Sequence, residues 1–512
     1  MLFVTSTFVI FFLLVYIGHS LLESNRVNWQ RWMLLSSIVF YTWWDSRLII
    51  VLLGVCVGTW AAGIWINRLR ILSETCYYGS NLTNTTTNKG IIYQQSFTEP
   101  AVPESAHNRY ARKMKQALGF SILMIILVIL ISRYLPFLAN NINLLTPWTT
   151  FAFTPPDLPL VLGMSFISFE AISYLVDVKR GQVANRSLRE VSLFLSFFPH
   201  LAAGPILRSK DFFNQINKPT KPILKSPAIA GSFILAGVFK KVVLGEILLR
   251  GITPVRLNPS AYSGLDNLIT LLVGPLRVFA DISAYSDIAI GLALLVGITF
   301  PDNFRKPYAS DSLLKFWHRW HITVSAFFRD YVYEPLRGHS TGVRMALAAV
   351  ATFLLSGLWH GPTWSFILWG GLNGIGVVVE GFFRLRRLKA GRKRQRSRSI
   401  KVLKTATVYL FIATTGLLFS SLPIDSSFTL LSTITNFSWS GWTSSAILTP
   451  GFILATCIVV CIQFTKPHLG RGLANKISYW PAPLQGILFG VLLTAILALA
   501  GSGVSLFIYY RF

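Results

Sequence analysis

Six apolar runs of membrane-spanning length recur from one end of this chain to the other, at 2–22, 48–66, 118–138, 228–249, 402–421 and 484–502. A helix of about 20 apolar residues crosses the hydrocarbon core of a bilayer. In lipid every backbone N–H and C=O must be satisfied internally, so only helices and closed barrels span it. The runs are continuous rather than alternating, which argues against barrel strands. Hydrophobic residues are 53% of the 512, charged residues only 13%, and the mean hydropathy is +0.54. The predicted fold class is an all-α polytopic membrane protein, one domain over 1–512, with roughly 10–13 transmembrane or re-entrant helices around a central cavity. The first run lacks a basic leading region and a small-x-small cleavage site, so it reads as a retained helix rather than a signal peptide.

A net charge of +27 would suggest nucleic acid in a soluble protein. In a membrane chain, basic residues collect in cytoplasmic loops and touch anionic lipid headgroups. Membrane lipid is therefore the expected contact and nucleic acid is not. The loop 67–116 is flanked by Arg68, Arg70, Arg109, Arg112, Lys113 and Lys115, and 11 of the 21 residues in 384–404 are basic with no acid. Both are predicted to be cytoplasmic. The first is expected to be partly disordered around the polar stretch 81–87. The stretches 140–159 and 422–450 contain no Lys or Arg and are placed outside. The last run then carries the tail, 503–512, to the extracytoplasmic side. Of the four cysteines, Cys457 and Cys461 are one helical turn apart with no histidine or carboxylate near them. They are read as packing residues, not metal ligands.

Two histidines sit in otherwise apolar, aromatic segments. His360 follows Trp359 and precedes Gly361-Pro362, which places it at a helix end or break. His321 ends the run Phe316-Trp317-His318-Arg319-Trp320-His321. An ionisable side chain at membrane depth is costly unless it faces a cavity or a partner. Neutral imidazole can take the proton of a hydroxyl as that oxygen attacks an acyl carbon. The competing reading is a histidine hydrogen-bonded to a backbone carbonyl between helices. His318 and His321 are three apart and could share a helix face, but no carboxylate or cysteine completes a metal set beside them. No metal is expected. Asp281, Asp287, Glu170 and Asp177 are the remaining near-membrane acids, best read as helix–helix partners of Lys, Arg or polar groups.

These segments carry a resemblance. Asn303-Phe304-Arg305-Lys306-Pro307-Tyr308, Phe316 through Ser325, Phe328 through Leu336 and Ser356-Gly357-Leu358-Trp359-His360-Gly361 resemble the membrane-bound O-acyltransferase family. Phe40 through Asp45, Gly163 through Asp177, and Ser196-Phe197-Phe198-Pro199-His200 with Ala203 through Ile206 resemble its alginate O-acetylation branch. One run departs from that branch's pattern, with Ala280 and Ala284 in Phe279 through Asp287.

The resemblance implies a fold with a central tunnel, an acyl thioester donor such as acetyl-CoA on the cytosolic side, and a hydroxyl acceptor on the far side. That acceptor would be an extracytoplasmic polysaccharide such as alginate, reached through a partner acetyltransferase or SGNH-type esterase protein, in a bacterial inner (cytoplasmic) membrane. It implies that His360 is the general base and His321 a second active-site residue. The last residues, Phe507-Ile508-Tyr509-Tyr510-Arg511-Phe512, form an aromatic interface anchor on their own terms. They also match a Phe-x-Tyr-x-x-Phe ending found in this branch and in the small partner of teichoic-acid D-alanylation, in which Tyr509 would be an acyl relay. The alternatives are D-alanyl transfer to teichoic acid and a non-enzymatic, proton-coupled transporter using the two histidines.

Overall fold

Long apolar segments without Pro or Gly clusters fold as helices, and this chain is built from little else. The structure is a computed structural model and describes residues 3–78, 85–87, 90–92, 104–145, 153–156, 161, 163–201, 204–217, 227–389, 397–419, 422–435, 445–465, 469–500 and 505. Among them, five helices are long and apolar enough to cross a membrane: Ser46–Cys76, Ala106–Leu145, Gly264–Leu295, Val343–His360 and Trp364–Arg386. Three shorter apolar helices, Ser6–Leu22, Pro450–Phe464 and Ala482–Ala498, add to them. The described strands are Thr85–Thr87 and Gly90–Ile92, a small antiparallel ribbon. Packing divides the chain into two units. One comprises Leu14–Leu201 and Leu207–Pro219; the other comprises Met1–Leu13, Ala202–Ile206 and Thr220–Phe512.

In the first unit, the Asn25 side chain accepts from the N–H groups of Val27 and Asn28 and starts the Arg26–Thr42 helix. Ser187 and Glu190 form a reciprocal capping box at the head of Leu188–Ser196. The core is aromatic. Phe194 lies 5.4 Å from both Phe212 and Phe213, and Phe197 lies 5.5 Å from Phe212. The Ile49–Tyr78 helix approaches Tyr174 so closely that a Cβ on Gly63 would sit 2.8 Å from that ring. An apolar groove of about 1100 Å³ runs along Ile49–Tyr78, with Gly54, Gly58 and Trp65 on one wall and Phe120 and Met124 on the other.

The second unit is organised around Gly264–Leu295, started by Ser263, whose hydroxyl accepts from the Asp266 N–H. Its most apolar stretch is 83% buried, against 17% for that of Ala106–Leu145. The helix lies among protein rather than lipid, so it tolerates the charges that keep it out of the six apolar runs. Small residues bring its neighbours close. A Cβ on Gly237 would meet Ala284 O at 2.6 Å, and one on Gly291 would meet Ala230 O at 2.7 Å. Val343–His360 and Trp364–Lys389 form a tight helical hairpin in the same way, with Gly357 against the Phe366 carbonyl and Gly370 against that of Phe353.

The run 228–249 is not one regular helix. It is Pro227–Phe239, a wider π-helical turn Lys240–Gly245, and Glu246–Leu257. Nor do His318 and His321 share a helix: Leu313–Trp317 ends before the first, and Ile322–Phe328 begins after the second. Cys457 and Cys461 are exposed on Pro450–Phe464 rather than packed.

Candidate active site

His321 is placed by a break in the backbone. The Ser312 hydroxyl accepts from the Lys315 N–H and starts a five-residue helix that stops at Trp317. The chain then turns, and His321 takes φ 42°, ψ 55°. A left-handed conformation costs a non-glycine residue about 1–2 kcal/mol, so its surroundings must hold it there. They do so with two backbone bonds: Arg305 N–H to Arg319 O, 3.0 Å, and Ile322 N–H to Asn303 O, 2.9 Å. The Asn303 side chain completes the clamp. Its Oδ1 accepts from the Thr323 N–H at 3.2 Å and the Thr323 hydroxyl at 3.0 Å, and lies 3.2 Å from His321 Nδ1. Its Nδ2 donates to Ser286 Oγ at 3.0 Å. The Thr323 hydroxyl oxygen also accepts from the Ile206 N–H, 3.1 Å. The imidazole is buried, while His318 is exposed.

His360 is the last residue of Val343–His360, where Gly361 turns the chain into an extended link to the next helix. Bulk at Gly361 is excluded, because a Cβ there would lie 2.6 Å from the Phe366 ring. The imidazole is 5% exposed and enclosed by rings. Trp359 and Phe419 lie 4.7 Å from it, Trp369 5.2 Å and Phe366 6.2 Å. Trp359 also meets the His321 ring edge-on at 6.4 Å. One indole therefore touches both histidines, which are 39 positions apart in the sequence. Trp369 and Phe419 form part of the wall of a cavity of about 50 Å³, which Arg256, Thr270 and Trp317 also line. Such a site keeps bulk water from the imidazole and strengthens any electrostatic interaction made there. Tyr509, the third residue singled out in the sequence, lies outside the described residues.

The near-membrane acids are paired. Lys241 Nζ lies 2.5 Å from Asp281, and both side chains are almost fully buried. Lys240 Nζ lies 2.5 Å from Asp287 and donates to Ser283 Oγ at 3.0 Å. The two lysines are the feature that sequence reading passed over, because two charges are diluted in a long apolar window. Their adjacency in the middle of an apolar run was the available signal. In the other unit, Glu170 Oε1 and His200 Nδ1 are 2.8 Å apart and both buried, and the Ser209 hydroxyl donates to Asp177 at 2.7 Å. The ring enclosure around His360 left no sequence signal at Phe419, an apolar residue remote in the chain. Asn303 stood inside a recognised motif without a role.

The sequence matches the membrane-bound O-acyltransferase family over residues 3–421. A probable alginate O-acetylase AlgI of Azotobacter vinelandii is 30% identical over 505 residues, covering 95% of this chain and 90% of that protein. A peptidoglycan O-acetyltransferase of Helicobacter pylori is 28% identical, covering 74% of this chain and 70% of its own length. A teichoic acid D-alanyltransferase of Streptococcus thermophilus is 30% identical over 47% of this chain and 61% of its own. Apolar helices of spanning length and a match over most of the chain agree: this multi-pass membrane protein is an O-acyltransferase and belongs to the membrane-bound O-acyltransferase family.

Proposed function

We propose that this protein moves an acetyl group from a cytosolic acyl thioester, such as acetyl-CoA, to an extracytoplasmic polysaccharide of the alginate type. The observation that carries the reading is the contact of both buried histidines with one indole, Trp359, in an apolar interior. The relatives named as alginate and peptidoglycan O-acetylating proteins support the acceptor class. In this reading His360 is the general base. It removes the proton of an attacking hydroxyl as the acyl C–O bond forms, and returns it to the thiolate as the acyl C–S bond breaks. His321 orients or polarises the reacting carbonyl. The basic loops 67–116 and 384–404 face the cytoplasm and the tail 503–512 the opposite side of a bacterial inner membrane. A separate acetyltransferase or SGNH-type partner completes delivery to the sugar.

Tyr509 has a place in the same scheme. Its phenol takes the acyl group first, as an aryl ester, and passes it to the partner or polymer in a second transfer with the same proton balance. The test pairs two substitutions in cells producing the polymer. His360→Ala is expected to abolish polymer acetylation at normal protein levels; near-parental acetylation rejects the assignment. Tyr509→Phe keeps the ring and removes the nucleophile, so a relay predicts loss, with Tyr510→Phe close to parental. A fully active Tyr509→Phe leaves direct transfer at His360 as the better account.

A further inference from the structure

Asn303 has the geometry of a group that decides which nitrogen of His321 does the work. A carboxamide has one accepting end and one donating end. The Thr323 backbone N–H can only donate, and it points at the end labelled Oδ1, which is therefore the oxygen. The opposite end gives its N–H to Ser286 Oγ, consistent with that orientation. The ring nitrogen 3.2 Å from this oxygen, His321 Nδ1, must then be the donor. In a neutral imidazole the lone pair consequently resides on Nε2. The carboxamide is fixed in turn. Asn303 is 2% exposed and Ser286 1%, and Ser286 neighbours Asp287 and lies one turn from Ser283, the two groups that hold Lys240.

We infer that Asn303 is a positioning residue for acyl transfer: it holds His321 in its left-handed, Nδ1-protonated form, so that Nε2 presents an accepting lone pair toward the reacting groups. Because Asn303 is neutral, it orients the ring without favouring the imidazolium, as a carboxylate in its place would. On the adjoining long helix, Asp287 pairs with Lys240 and Asp281 with Lys241, and Arg277 lies 4.0 Å from Asp281. Near Asn303 in the chain, Asp302 pairs with Arg305 at 3.4 Å. The inference rests on the placement of His321 in the active site.

The experiment uses the full-length protein in membrane vesicles from cells that make the polymer, supplied with the soluble extracytoplasmic fraction so that the proposed partner is present, with acetyl-CoA as donor probe and polymer acetylation as readout over a pH series. Asn303→Leu removes the acceptor and is expected to lower kcat about 10- to 100-fold, the range seen when groups that orient metal-bound histidines are lost, with KM for the donor little changed. Asn303→Asp keeps the accepting oxygen for Nδ1 and for Thr323, so it is expected to fold and turn over. Its added charge favours the imidazolium, so the acid limb of its pH–rate profile should move up by about one pH unit. A residue that only supports the fold would lower the yield of active protein and leave that limb in place. The inference is overturned by parental kcat in Asn303→Leu where His321→Ala is impaired, or by an Asn303→Asp profile that superimposes on the parent's. A fully active His321→Ala also overturns it, and is distinguishable because it removes the role of His321 itself.

Discussion

His321 and His360 are both buried, both stand where a helix breaks, and both touch Trp359, yet they are held by opposite means. His321 is fixed by hydrogen bonds: a carboxamide on its ring and two backbone bonds across the segments that carry it. His360 is held by ring faces and edges, with four aromatic neighbours within 6.2 Å. Hydrogen bonds specify a tautomer and a direction. An aromatic enclosure specifies a dry volume. The contrast fits one histidine that orients and another that exchanges the proton.

Substitutions can break this contrast. His360→Ala is expected to have the largest effect, since a general base contributes about 100- to 10,000-fold to rate, measured as initial acetylation velocity in membranes with matched protein content. His321→Ala should cost less, about 10- to 100-fold, because orientation is lost but the base remains. If the order is reversed, the two roles are exchanged. Phe419→Leu should cost least: an aromatic contact is worth about 0.5–1.5 kcal/mol, so velocity should fall no more than about tenfold. A collapse of activity in that variant, with normal thermal stability, would mean that ring geometry, not the imidazole alone, carries the step at His360.

Sequence reading reached the histidines for a physical reason. Trp-His-Gly-Pro marks a helix end with an ionisable group in apolar surroundings, and that combination is costly enough to be informative. It reached the apolar helices for the same kind of reason, and the pairing of Asp281 and Asp287 with cations followed from the cost of burying charge. Within 228–249 it could not see the π-helical turn, because a hydropathy window averages Lys240 and Lys241 into their neighbours and does not register a wider helical turn. It left His318 and His321 on one potential helix, because periodicity does not reveal the left-handed residue that separates them. Gly264–Leu295 is surrounded by protein, and protein exerts less pressure than lipid toward an uninterrupted apolar surface.

The two lysine–aspartate pairs also have a mechanical meaning. Consecutive residues on one helix grip acids six positions apart on another, which is about 9 Å of helix rise. A single pair would act as a pivot. Two pairs in crossed order act as a key in a slot, so that sliding or rotating one helix against the other breaks both at once inside an apolar interior. Breaking the buried one, Lys241–Asp281, costs about 3–5 kcal/mol. Segments 227–257 and 264–295 are therefore tied at two points rather than one, and a rigid joint is expected between them.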